Sequence, residues 1–275
     1  MAPVVETMLR PNPIRAAWGG VHVRNERLAG VRSRFEQSAV EALAEFRREA
    51  AAHSEDEIRA VYQRVGGARR ELLLFAEATL MFADATTNAI AEAIRMTWGI
   101  DPGGRPWGFS ALLRAIRRGD TDSRTPDVGS LLDRLHSVHV QVNVPRQVLA
   151  VHPPGNISAA EFRFADGTAE NMRIGAWNRP PEAEDVELER LRHTVTSEAA
   201  IPEVHAAGEL LVIWAIDNAD KLSGDARDQL KRYVWRHGCS VSPKHLADVT
   251  TALVRDVTEL FGWPRRAFSP VLSAS

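Results

Sequence analysis

Arg146 and His152 stand six positions apart in the run RQVLAVH, and their side chains have the chemistry to act on a phosphodiester. A histidine whose ordinary pKa is about 6.5 can take up or return a proton at neutral pH. An arginine offers a fork of N–H donors to phosphate oxygens as negative charge builds on them. The surrounding stretch, HSVHVQVNVPRQVLAVHPPG from His136 to Gly155, adds His136, His139 and Gln147, with Arg134 two residues ahead of it. Other residues compete for a chemical role. His136 and His139 lie three apart on one helical face and, with His152 or Asp133, could hold a metal ion. The same spacing serves a helix surface equally well, so no metal is expected. Cys239 near His237 could pair a thiol with a base. A lone cysteine with nothing further behind it reads as structural. Glu77 and Asp84 could be catalytic carboxylates or metal ligands, but they read more simply as a polar seam on a long helix. Neither GxxxxGK nor GxGxxG occurs, nor do GxSxG or HExxH, so no cofactor is expected.

These side chains must be carried by helices. Phe35, Ala39, Leu43 and Phe46 repeat at helical spacing over 35–52. Ser54 and Glu57 match a capping box for a short helix over 55–65, which Gly66-Gly67 should end. Ala68 to Trp98 is apolar around most of its circumference and belongs in the middle of a bundle or at a dimer interface. Turn residues from Asp101 to Gly108 precede a helix over Phe109 to Arg118. Asp127 can cap a helix from Val128 to Val142. A break is expected at Asn143 or Val144, because the residue before Pro145 is pushed out of the α region. Pro145 then suits the first turn of a short helix carrying Arg146, ended by Pro153-Pro154-Gly155. In EFRFADGTAENMRI the pattern turns to alternation. Phe162 and Phe164 precede Asp166-Gly167, a type I′ turn pair, and Met172 and Ile174 follow it, which predicts one β-hairpin over 160–175. Helices resume over Val186 to Ser197, Glu203 to Ser223, Asp225 to His237 and Pro243 to Phe261, the last opened by a Ser242-Pro243 cap.

Long helices followed by an arginine that opens a short helix and a histidine six residues on resemble the HEPN superfamily, whose motif is Arg-x(4–6)-His. The spacing recurs elsewhere, as in Arg134/His139 and Arg232/His237, and helical context selects Arg146/His152. The resemblance covers Ala68 to His152 and one or two later helices. Gln147 stands where the family commonly has Asn, Asp or His. It implies a symmetric homodimer with two motifs facing a shared cleft, acting as a metal-independent endoribonuclease that leaves a 2′,3′-cyclic phosphate. Arg146 and His152 would then be catalytic, with Gln147, Arg134, His136 and His139 binding the RNA substrate. A toxin or defence role would bring an antitoxin or other protein partner.

Composition limits the alternatives. The 275 residues are 44% hydrophobic with a net charge of −2, so nucleic acid can be met only through a local basic surface. Only three lysines occur, Lys221, Lys231 and Lys244, beside an excess of arginine, whose planar fork suits phosphate. One cysteine rules out an internal disulfide framework and points to a reducing, cytoplasmic setting. Glu77 and Asp84 interrupt the longest apolar run, so no membrane span is expected. The predicted fold is mainly α, a multi-helix bundle over 35–262 with one inserted β-hairpin. Residues 1–34, with three prolines near the start, read as an extended arm, and 263–275 as a loose tail. The alternative function is a non-catalytic oligomerisation or partner-binding protein using the helix from Ala68 to Trp98.

Overall fold

The computed structural model describes residues 12–51, 66–104, 106–125, 127–151, 163–165, 168–174 and 181–263. They are mainly helical. Two long helices form the frame, α1 over Pro13–Ala51 and α2 over Gly66–Trp98. Trp18, Val21, Leu28, Phe35, Ala39 and Ala42 make the buried seam of α1. Leu72, Ala76, Leu80, Ala83, Ile90 and Ile94 make that of α2, in steps of three, four and seven. Trp18 Nε1 donates to Thr97 Oγ1 at 3.1 Å, tying the start of α1 to the end of α2, so the two run antiparallel. The alanines let the backbones approach closely.

The extended arm expected over 1–34 is therefore corrected from residue 13 onward. Asn12 Oδ1 accepts the N–H of Ile14 at 3.0 Å, and Pro13 occupies the first helical position, where its missing N–H has no helical partner anyway. The seam here shows little more than one large apolar residue per two turns among arginines, too sparse to read without the partner helix. The tail is corrected at its first residue, since Trp263 stacks on Trp18 with centroids 6.0 Å apart. Gly66-Gly67, expected to end a helix, instead begin α2, while the predicted helix over 55–65 lies outside the described residues.

Helix α3 spans Phe109–Arg118 and α4 spans Val128–Val138, with Asp127 Oδ1 accepting the N–H of Ser130 at 3.2 Å. No break follows. His139–Asn143 form a π-helical turn that runs directly into α5, Val144–Val151. Pro145 cannot donate to the carbonyl four residues back, and its ring would clash there. The wider turn, in which Val144 N–H reaches the His139 carbonyl, accommodates the proline without ending the helix.

Strand β1 (Arg163–Ala165) pairs antiparallel with β2 (Thr168–Ile174), and β2 pairs in turn with β3 (Cys239–Val241), Met172 opposite Val241 and Ile174 opposite Cys239. The β-structure is thus not the isolated insertion expected over 160–175, because a strand distant in sequence joins it. The Asp166-Gly167 turn lies outside the described residues.

The chain continues through α6 (Pro181–Glu198), α7 (Gly208–Asp217), α8 (Gly224–His237) and α9 (Pro243–Leu260). The single helix predicted over Glu203 to Ser223 is divided: a 3₁₀ turn at Glu203–His205, α7, and a second 3₁₀ turn at Ala219–Lys221. Gly208, with φ of 59°, sets the bend that opens α7. Helix α9 packs across both α1 and α2, and α8 lies against α6 and α5. Ser242 Oγ accepts the N–H of His245 at 3.2 Å, the cap expected for α9. Among the described residues, no helix is long and apolar enough to cross a membrane.

Candidate functional site

The π-helical turn has a local consequence that a regular helix would not deliver. It turns Asn143 inward against α2, where Asn143 Nδ2 donates to Asp84 Oδ1 at 2.5 Å and to Thr87 Oγ1 at 3.1 Å. Asn88 Nδ2 donates to the other carboxylate oxygen of Asp84 at 3.1 Å, and Arg146 Nε lies 3.5 Å from it. Asn88 Oδ1 in turn accepts the N–H of Phe109 at 2.9 Å, so one side chain joins the carboxylate to the start of α3. Burial pushes the Asp84 carboxyl above its ordinary pKa, while Asn143, Arg146 and Asn88 oppose that rise by favouring the anion. The predicted polar seam on α2 is here a half-buried carboxylate facing Arg146.

Three buried polar atoms of this neighbourhood have no hydrogen-bond partner among the described residues: Arg146 Nε, Asn143 Oδ1 and His139 Nδ1. His139 is 7% exposed and stacks on Phe109 with ring centroids 6.3 Å apart. Its pKa is lowered to about 4, first by burial and then by Lys231 and by the neighbouring His136, whose protonation would oppose its own, against an opposing pull from Asn143. It is a neutral imidazole at physiological pH.

Beside this cluster is a cavity of about 370 Å³ lined by His139, Val144 and Gln147 on one side and by Lys231, Arg232, Trp235 and Arg236 of α8 on the other. Trp235 is 43% exposed and offers a flat apolar face. Lys231 Nζ donates to Asp228 Oδ1 at 2.8 Å. Arg236 pairs with Glu187, whose second oxygen lies 2.8 Å from His237 Nε2. Three cations, an aromatic face and an amide in one hollow suit a phosphate with a nucleobase attached.

The residues singled out in the sequence separate into two groups. His139 and Gln147 line this cavity, whereas Arg146, next to Gln147 in the chain, faces Asp84. His136 is buried away from it, with Arg117 Nη2 3.3 Å from its Nδ1 and Asp228 Oδ1 3.4 Å from its Nε2. Burial first, and then Arg117 and Arg227, lower its pKa. Asp228 also holds Lys231, which does line the cavity. Arg134 lies elsewhere, lining a small cavity of about 150 Å³ against α9 and pairing with Asp256 at 3.2 Å. It does not line the cavity at Gln147. His152 lies outside the described residues. Asp133, considered as a metal ligand, instead pairs with Arg227 at 3.0 Å. Cys239 is buried in β3 and His237 is bound to Glu187, so neither stands ready as a nucleophile or its base. No group of three His, Cys, Asp or Glu residues among those described could hold a metal ion.

Sequence reasoning passed over Asn143, which it treated as a helix break, and over Lys231, Arg232, Trp235 and Arg236. The one available signal was the Arg232/Arg236 pair at four-residue spacing on an amphipathic helix. The chain matches no protein-family model, no curated protein and no solved structure.

Proposed function

We propose that this chain binds RNA and cleaves it at a HEPN-like site, as a metal-independent endoribonuclease in which Arg146 and His152 act together. The observation that carries the reading is the cavity at Gln147, the residue after Arg146, in which Gln147 and His139 face Lys231, Arg232, Arg236 and Trp235. In a chain of net charge −2, this local gathering of cations around an exposed indole favours a single-stranded nucleic acid. His152 takes the 2′-hydroxyl proton, the 2′ oxygen attacks the adjacent phosphorus as its bond to the 5′ oxygen of the next nucleotide breaks, and that oxygen leaves with a proton from solvent, to which His152 afterwards returns its own. A 2′,3′-cyclic phosphate and a 5′-hydroxyl remain. Arg146 donates to the phosphate oxygens as their charge rises, and Asp84 holds its guanidinium in place. The cytoplasm is the setting, and an antitoxin or other protein partner covers the site when the activity is held off.

The test is cleavage of a labelled single-stranded RNA by purified protein with a chelator present. Arg146→Ala and His152→Ala are each expected to lose activity by a factor of about 100 or more while remaining folded. Undiminished cleavage in both variants would overturn the reading.

A second reading, self-association through α2, is favoured by Leu74 and Met81. They stand one heptad apart and are 59% and 45% exposed. Leu74→Glu with Met81→Glu is expected to convert a dimer into a monomer by light scattering. A wild type that is monomeric at micromolar concentration removes this reading and the homodimer with it.

A further inference from the structure

The hollow beside Gln147 does not end at Arg236. Helices α6 and α8 lie side by side, and between them a second cavity of about 550 Å³ is lined by Arg190 and His193 from α6 and by Gln229, Arg232, Tyr233 and Arg236 from α8. Arg232 and Arg236 belong to both hollows. A third, of about 820 Å³, shares Arg190 and His193 with the second and adds Arg192 and Thr196. Sharing these side chains, the three hollows adjoin one another from Gln147 across α8 to α6, and together they are called the furrow.

Its charge is one-sided. Arg190, Arg192, Lys231, Arg232 and Arg236 line it, against Glu187 and Glu189. Both carboxylates are already engaged, Glu187 by Arg236 and His237 and Glu189 by Arg192. Among the described residues, the exposed guanidinium groups of Arg190 and Arg232 carry no salt bridge. Gln229, Arg232, Tyr233 and Arg236 recur at three- and four-residue steps, so they share one face of α8. Arg232 and Arg236 are one turn apart, roughly 6 Å along the axis, with Arg236 held by Glu187 and Arg232, among the described residues, without a salt bridge.

We infer that this furrow is an extended track for single-stranded RNA, with successive phosphates on Arg232 and Arg190, a base stacked on Trp235, and the strand leading toward Arg146. The inference rests on the proposed RNA-cleaving function and deepens it, by assigning a strand of several nucleotides where the catalytic pair alone requires two. A single strand is the occupant because a base can lie on the exposed Trp235 only when it is free of a duplex stack.

The experiment is fluorescence anisotropy of the full chain with uncleavable 2′-O-methyl RNA strands of 4, 8 and 16 nucleotides over a range of salt. Affinity is expected to rise with length. Arg190→Ala and Arg232→Ala should each weaken binding of the 16-mer about 5–10-fold and reduce the salt slope by about one, as loss of a phosphate contact does. Trp235→Ala should weaken it several-fold with the salt slope unchanged. Equal affinity for the 4-mer and 16-mer, or unchanged binding in Arg190→Ala and Arg232→Ala, overturns the track even if wild type still cleaves RNA, in which case the catalytic proposal survives. Polyglutamate binding as tightly as RNA, and weakened by the same variants, also overturns it by making the furrow an acidic-peptide site. Absence of any RNA binding overturns both.

Discussion

Asn143 and Asp84, 59 positions apart, are joined by a 2.5 Å hydrogen bond from Asn143 Nδ2 to Asp84 Oδ1 that couples the π-helical turn to the central helix. It is one of the contacts that favour the anion of a half-buried carboxylate whose pKa burial raises. Asn143→Ala removes this donor and leaves Asp84 with less compensation for its burial. We expect a loss of about 2 kcal/mol in urea unfolding at pH 7. The loss should shrink at lower pH, because a carboxyl whose folded pKa is raised is stabilised as it protonates. A loss that is the same at pH 7 and pH 4.5 would show that the bond does not act on the charge of Asp84.

Gly108 meets the other end of the same network. A Cβ there would stand 2.9 Å from Asn88 Oδ1, which the Phe109 N–H holds in place. The backbone at Gly108, with φ of −160°, is open to any residue, so the constraint is contact and not conformation. Gly108→Ala is expected to cost about 1–2 kcal/mol. Asn88→Ala in the Gly108→Ala background should recover part of it, and additive losses in the double variant would count against the contact.

His139 makes folding sensitive to mild acid. Its pKa is about 4 in the fold against an ordinary 6.5, so the unfolded chain takes up the proton first. The stability it contributes is present above pH 6.5, falls as pH drops from about 6.5 toward 4, and levels off below. Lys231, His136 and Arg117 all oppose its protonation, while Asn143 works in the opposite sense. The full effect is on the order of 3 kcal/mol. His139→Leu should lose part of the decline between pH 7 and pH 5 in denaturant unfolding, and a slope equal to that of wild type would contradict the assignment.

Trp18 reports on whether residues 13–34 are core. It is fully buried, bonds Thr97, and packs on Phe261 at 5.5 Å and on Trp263 at 6.0 Å. Trp18→Ala is expected to cost about 3–5 kcal/mol, a lowering of roughly 10 °C or more in Tm by calorimetry. An extended arm would lose almost nothing.

Most helices were legible because their signals are local. Phe109–Arg118 and Pro243–Leu260 carry both their apolar period and their end signals within a dozen or so residues, and the caps at Asp127 and Ser242 form as read. The start of α1 was not legible, since its sparse seam becomes a core only against α2. The division of 203–223 was missed for a related reason. Leu211, Val212, Ala215 and Ile216 are apolar enough for one long helix, but Gly208 and the 3₁₀ turns set its limits. At the site, Arg146, Gln147 and His139 could be named from composition and spacing. Asp84 and Asn143 could not be paired, because nothing in either segment refers to the other.

The sequence by itself determined a mainly helical chain and the residues able to meet a phosphate, because side-chain chemistry and helical period are properties of short segments. Tertiary structure decided which of them stand together. Pro145 reads locally as a stop, yet the wider turn across His139–Asn143 carries the helix through it and swings Asn143 onto Asp84. The cations of α8 reach the cavity beside Gln147 because that helix packs against α5. Proximity between segments about 90 residues apart is set by how apolar faces are buried, and no spacing along the chain records it.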